Sequence, residues 1–383
     1  MSCWSVIVIG GGPSGCAAAV ACRTAGLSTL LLHRPNAGKY WSGESLPPGG
    51  QQLMEGVFGS GILTDGNDLQ SHGNCGTWGS ETFFENEFLW NPLGTGWFLD
   101  RPVFDAAARR AALDSGVTVV EDGFVEAERL EDRWRLRCDS GIHEAAWVVD
   151  ASGRQGVFVR ALGIPSHSTD RQVVLVAKAA GCPPSGQQTL IESTPLGWWY
   201  TCPLSRGERV VAFLTDRDLV PPAAQRADWW WEGLRRTTHI RVVAEGFPRP
   251  ERIPVFPAGT QYRERLHGRG WCAVGDAAIA WDPLSSQGLV TGVLMGSRAG
   301  GALAGGPESL AGWEQDYRLL LAEHLSLRSN YWSQERRWVD ETFWRRRSAE
   351  GDPVGLASGE NPGIPEEEPL ASGFGVDTPP GGR

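Results

Sequence analysis

Gly10, Gly12 and Gly15 stand in the G-x-G-x-x-G spacing that the pyrophosphate of a dinucleotide requires. Gly10 makes a tight turn, Gly12 has no Cβ to hold phosphates off the backbone, and Gly15 lets a helix pack closely on a strand. Pro13 and Ser14 complete the loop, and the helix that follows offers free N–H groups and its positive dipole end to an anion. His33 and Arg34 come where such sites usually place an acid for the ribose hydroxyls. A neutral imidazole can accept those hydrogen bonds, or His33 simply ends a strand. Glu44 beside Ser45, in the run 43–48, has the composition of an active-site element. The same run reads equally as a helix start, with Ser45 as N-cap and Pro47 and Pro48 in the first turn. Asp282 is either a carboxylate at a reaction centre or a turn residue before Pro283.

These residues need elements to hold them. Val6, Ile7, Val8 and Ile9 read as a buried strand of a parallel sheet, the alanine-rich run after Gly15 as a helix, and 27–32 as a second strand. A helix is expected from about Leu99 to Ser115, then a strand at 117–120 and a β-meander over 121–138. Another buried strand runs through 145–150 into a glycine turn. Residues 171–215 read as antiparallel strands. Trp229, Trp230 and Trp231 open a helix whose tryptophans cannot all face inward, so at least one should touch a cleft or a partner. Trp271 to Asp276 is again strand then turn, a helix of small residues follows Gly288, and 310–347 holds one or two helices.

Composition sets bounds. A formal charge of −10 argues against nucleic acid or an anionic membrane as the main partner. No apolar run approaches the roughly 20 residues that span a bilayer, and the first strand starts too early to leave room for a secretory signal. The 8 cysteines show no C-x-x-C pair and no metal-ligand rhythm, as expected of reduced thiols in a cytoplasmic protein without a metal centre. Tryptophan is abundant, with 18 residues, and Lys39 and Lys178 are the only lysines.

With these motifs in order, the chain resembles the flavoprotein monooxygenases of the para-hydroxybenzoate hydroxylase type, a superfamily that includes the flavin-dependent halogenases. The resemblance implies FAD as cofactor, its pyrophosphate on the N-terminal glycine loop. It implies FAD contacts from Arg101 in L-x-R-x-x-F-D, from Phe124 and Val125, and from Gly275 and Asp276, whose carboxylate would bind the ribityl chain. Pro283, Gly288 and Leu289 would form the loop beside the isoalloxazine, where the next helix would stabilise negative charge on the reduced ring. The implied fold class is α/β, with a Rossmann-like FAD-binding domain on a parallel sheet and an inserted antiparallel-sheet substrate domain. The FAD-binding domain would comprise 1–75, 99–165 and 265–325, and the substrate domain 76–98 and 166–264. A C-terminal helix over 326–348 and a disordered acidic tail over 349–383 would follow.

A narrower resemblance rests on Gly43 to Pro48, Gly197 to Tyr200 and the arginine- and tryptophan-rich run 335–346. It is to flavoproteins that hydroxylate tryptophan within peptides or proteins during maturation of tryptophan-derived quinone cofactors. It implies oxygen insertion through a flavin C4a-hydroperoxide, with O2 as co-substrate and NAD(P)H or a separate flavin reductase as electron donor. Glu44 and Asp282 become candidates for base or substrate orientation. Trp78, Trp198 and Tyr200 become candidates for the wall against an aromatic or tryptophan-containing peptide substrate. Halogenases of this type need a lysine some tens of residues after the G-E motif, and none stands between Lys39 and Lys178. A flavin dehydrogenase or reductase and a non-catalytic FAD-binding scaffold are the rival readings.

Overall fold

A computed structural model describes residues 2–34, 44–64, 66–182 and 186–348, apart from the side chains of Ser2 and Glu44. Gly43 and the expected acidic tail over 349–383 lie outside the described residues.

The strand Ser2–Ile9 is the centre of an 8-stranded sheet. It pairs in parallel with Thr29–His33 on one side and Ile142–Asp150 on the other. Thr118–Glu121 and Trp271–Ala273 extend the parallel part outward. The run Val6 to Ile9 is at most 4% exposed, which is why it is apolar on both faces rather than alternating. The meander Phe124–Arg129 and Trp134–Cys138 adds antiparallel strands to Ile142–Asp150.

The helix Pro13–Thr24 packs along the helix Gly288–Ala304 through glycines spaced by four. A Cβ on Gly292 would lie 2.5 Å from Ser14 Oγ, one on Gly296 2.3 Å from Ser14 O, and one on Gly300 2.3 Å from the Ala21 carbonyl carbon. That contact holds the glycine loop and the loop before Gly288 in one block.

A second, 7-stranded sheet runs in the order Val255–Pro257, Gln172–Ala180, Glu208–Asp216, Gly197–Pro203, Gln188–Thr194, Gly73–Thr77, Phe84–Glu87. It is antiparallel except where Gln188–Thr194 runs parallel to Gly73–Thr77, a pairing that strand alternation alone does not reveal. Strand geometry splits its tryptophans. Trp199 faces the helix Ala223–Arg235, stacking on Phe213 at 4.4 Å and tilting against Trp230 at 5.3 Å, while Trp198 and Tyr200 face the other way. Trp230 is fully buried, and Trp229 and Trp231 are half-buried on the same core. None of the three lines the cleft described below, because the sheet offers enough apolar surface to absorb a wide helical face.

The long helix Pro307–Gln334 and the short helix Thr342–Ser348 fasten onto this sheet. Trp332, Phe343 and Trp344 pack with Trp78 behind Trp198. The buried Arg347 pairs with the buried Asp216 at 2.8 Å. No described helix is long and apolar enough to cross a membrane.

Candidate active site

A cleft of about 1280 Å³ runs from the end of the parallel sheet to the face of the second sheet. That exceeds the roughly 300–1,000 Å³ of a typical small-ligand pocket, so it has room for a large cofactor and a further group. Its first wall is the glycine loop. Gly10 is at φ +117°, and a Cβ on it would lie 2.3 Å from Ala151 O. A Cβ on Gly15 would lie 1.8 Å from Gly10 O, whereas one on Gly12 would meet no protein atom within 4 Å. Gly10 and Gly15 thus satisfy the protein, and the space at Gly12 is left for a ligand. Gly12 caps the following helix with extended backbone and no side-chain bond, so first-turn N–H groups stay free for phosphate oxygens.

The helix Arg101–Asp114 supplies the facing wall. Arg101, Asp105 and Arg109 recur every fourth residue and all line the cleft. Arg101 Nε donates to Asp105 Oδ1 at 3.0 Å, and Arg109 Nη1 donates to Gly11 O at 3.1 Å, tying this helix to the glycine loop. Arg109 is a site residue that the motifs do not mark, although its spacing from Arg101 points to it. Arg154 is another. It approaches Asp276 at 3.7 Å and donates to Gly259 O and Trp281 O at 2.7 and 3.1 Å. Asp276 keeps 40% of its side-chain surface exposed, toward the cleft it lines. Gly275 does not line the cleft. It sits at φ +58° and a Cβ there would meet Ser14 Oγ at 2.3 Å.

At the end of the cleft beyond the glycine loop stand His33, Arg34, Gly123 and Phe124. His33 is half-buried over Gly11, and burial together with the nearby Arg109 pulls its pKa down, so it is neutral and able to accept a hydrogen bond. Arg34 Nη2 binds Asp139 Oδ2 at 2.7 Å. Val125 is 41% exposed and does not line the cleft. Asp122 also comes here, with one ligand atom each from Asp122, Cys138 and His143 lying within 4.8 Å of one another. No cysteine spacing signals that group. The Asp122 carboxylate already accepts from Gly123 N, Ser140 N and Ser140 Oγ.

The loop before the Gly288–Ala304 helix closes the far end. Pro283–Ser285 is a single 3-10 turn, Ser286 sits at φ +52°, and a Cβ on Gly288 would meet nothing within 4 Å. Asp282 is 1% exposed and its oxygens are taken, Oδ1 by Leu284 N at 2.8 Å and Oδ2 by Gln172 Nε2 at 3.1 Å. Burial pushes its pKa up, offset in part by Arg328. Leu289 and Ser45 line the cleft as well. Ser45 lies in the strand Glu44–Leu46, paired with Leu99, Phe98 and Trp97 of Gly96–Leu99, and the next helix starts only at Gly50. The reading of Ser45 as a helix cap is therefore corrected: Gly49, at φ +83°, takes that position. The Glu44 backbone belongs to this strand, and its side chain lies outside the described residues.

The second sheet completes the cleft with Val174, Val176, Ile191, Trp198 and Tyr200. Trp78 does not line it. It stands behind Trp198, edge-on at 6.1 Å, with its Nε1 donating to Tyr331 O.

Free N–H groups at two helix ends, open space at Gly12, four arginines and a part-exposed Asp276 suit an anionic dinucleotide carrying a polar chain, as FAD does. The family model for FAD-dependent oxidoreductases matches residues 5–172. The chain is 28% identical over 371 residues to LodB of Marinomonas mediterranea, assigned as an FAD-dependent oxidoreductase, covering 91% of this chain and 98% of that one. Two solved structures share the fold. One is the peptidyl tryptophan dihydroxylase QhpG, with a TM-score of 0.77 and 22% identity over 93% of this chain and 81% of that one. The other is the myxobacterial chondrochloren halogenase CndH, with a TM-score of 0.81 and 21% identity over 91% and 86%. The chain is accordingly an FAD-dependent oxidoreductase, similar over residues 5–172 to that family and in fold to a flavin dihydroxylase and a flavin halogenase.

Proposed function

We propose that this protein is a monooxygenase that hydroxylates an electron-rich aromatic ring, the indole of a tryptophan in a peptide or protein. The reading is carried by the cleft itself, in which the FAD-type motifs lead without interruption to an aromatic wall of Trp198 and Tyr200. Reduced FAD, supplied by NAD(P)H or a separate reductase, would activate O2 there. The block formed by Pro13–Thr24 and Gly288–Ala304 would hold the cofactor, and the helix dipole after Gly288 would favour negative charge beside it. The apolar face of the second sheet would exclude water and orient the indole. Glu44 would take the proton released on aromatisation. Asp282, its oxygens held by Leu284 and Gln172, would act as a positioning residue for the Pro283 loop. The fold likeness to a peptidyl tryptophan dihydroxylase supports the substrate class.

Halogenation is the second reading, favoured by the fold likeness to CndH. Against it stands the lysine pattern. Among the described residues the one lysine is Lys178, which binds Glu208 at 2.7 Å and does not line the cleft. Photoreduced, FAD-loaded protein should be mixed with acetyl-tryptophanamide or tryptophan peptides, bromide and isotopically labelled dioxygen. Product carrying one or more labelled oxygens supports monooxygenation. A bromine isotope pattern, or loss of hydrogen alone, overturns it.

A further inference from the structure

The edge strand Phe84–Glu87 closes the second sheet, and among the described residues no strand pairs with its outer side. Such an edge leaves backbone N–H and C=O groups ready to accept another strand. The turn after it carries Trp90, 87% exposed, and Leu89, 71% exposed. Glu81, Glu85 and Glu87 are exposed and none has a cationic partner among the described residues. Glutamates alone would read as protection of the edge against aggregation, but an exposed tryptophan and leucine defeat that purpose and mark a contact surface.

The register connects this edge to the active-site cleft. Tyr200 pairs with Ile191, Ile191 with Gly76, and Gly76 with Phe84. Residues paired across strands share a face, so one row leads from the cleft wall to the free edge. Gly76, at φ +149°, adds no side chain to that row, and a Cβ there would lie 1.8 Å from Ile191 O.

We propose that Phe84–Glu87 and the Trp90 turn are the docking surface for the polypeptide that carries the target tryptophan. A basic, extended segment adds to this edge as a further strand, its cations meeting Glu85 and Glu87 and its apolar residues meeting Trp90. The adjoining stretch then reaches the cleft along the row through Gly76. This rests on the monooxygenase reading for the identity of the segment, but its binding can be measured without turnover.

The probes are fluorescein-labelled peptides of alternating valine and lysine ending in one tryptophan, the same with glutamate for lysine, and an N-methylated lysine peptide that cannot donate strand hydrogen bonds. Anisotropy titrations use the FAD-loaded full chain. The lysine peptide should bind at least about tenfold more tightly than the other two. The double variant Glu85→Lys/Glu87→Lys should invert the preference toward the glutamate peptide, and Trp90→Ala should weaken both by about fivefold. Equal affinity for the lysine and glutamate peptides, or an unchanged preference in the charge-reversed variant, overturns the proposal. Acetyl-tryptophanamide turnover reports the cleft alone. If it is hydroxylated while the peptides show no preference, docking fails and the monooxygenase reading stands. If the peptides bind as described and no tryptophan gains oxygen, the reverse holds.

Discussion

Gly12 and Gly15 lie three residues apart in one motif, at the cap and in the first turn of the helix Pro13–Thr24, and different partners constrain them. At Gly15 the missing Cβ makes room for Gly10 O, 1.8 Å away, so Gly15→Ala forces backbone apart inside the fold. At Gly12 the missing Cβ borders open space, and only a bound pyrophosphate would meet it. Gly15→Ala should therefore lower both the melting temperature of cofactor-free protein and the flavin retained on purification. Gly12→Ala should leave the first unchanged and lose the second. Equal melting losses in both variants would show that the space at Gly12 is structural. Asp276 gives a companion test: Asp276→Asn keeps the shape but removes an acceptor charge facing the cleft, and FAD affinity should fall about tenfold. Titration of the stripped protein with FAD measures it.

Among the elements, the small-residue helix after Gly288 does the most positioning. Its Gly296 and Gly300 face Pro13–Thr24 at backbone contact and Gly292 faces the Ser14 side chain, while Gly301 is exposed with nothing within 4 Å of a Cβ. Gly296→Val should destabilise by at least the roughly 1–3 kcal/mol of an overpacked core. It should also weaken FAD, because the methyls push on Ser14 of the glycine loop. Gly301→Ala, on the same helix, should be neutral or stabilise by up to about 1 kcal/mol. Chemical denaturation of the two variants checks the pair. The elements were largely legible from local pattern. The buried β-branched run before Gly10, the glycine spacing and the proline-started helix from Arg101 all encode their own geometry. What local pattern could not show was set by partners distant in sequence. Trp78 reads as a cleft aromatic, yet Trp332 and Trp344 draw it behind Trp198. Val125 reads as a neighbour of Phe124, yet strand alternation turns it outward. Arg154 gains its place only when Asp276, more than a hundred residues later, folds against it.

At the scale of the molecule, His324 joins parts of the chain that lie far apart in sequence. It rises from the long helix Pro307–Gln334, meets the Trp281 ring edge-on at 4.7 Å just before the Asp282 turn, and reaches Thr260 Oγ1 at 3.3 Å. Its neighbour Arg328 binds Asp170 at 3.1 Å. Burial first, and Arg328 second, push the imidazole pKa down to about 4 from an unfolded value of 6.5. Above pH 6.5 both folded and unfolded chains hold it neutral, and stability from this group is complete. Between 6.5 and 4 the unfolded chain takes up a proton that the folded chain refuses, so stability falls as pH falls. The loss amounts to about 3 kcal/mol at 1.36 kcal/mol per pH unit and is complete below the folded pKa. The buried Asp150 and Asp282, whose carboxyls are pushed up, act in the opposite sense, so the whole-protein profile is a sum. His324→Phe isolates the histidine. It keeps a ring against Trp281, loses the Thr260 hydrogen bond at every pH, and removes the proton site. Unfolding free energies of the two proteins should therefore differ by a constant above pH 6.5, and the gap should shift by about 3 kcal/mol in favour of the variant by pH 4. Parallel profiles over that range would mean that His324 keeps an ordinary pKa in the fold. The joint between the long helix and the Pro283 loop would then tolerate a second cation beside Arg328.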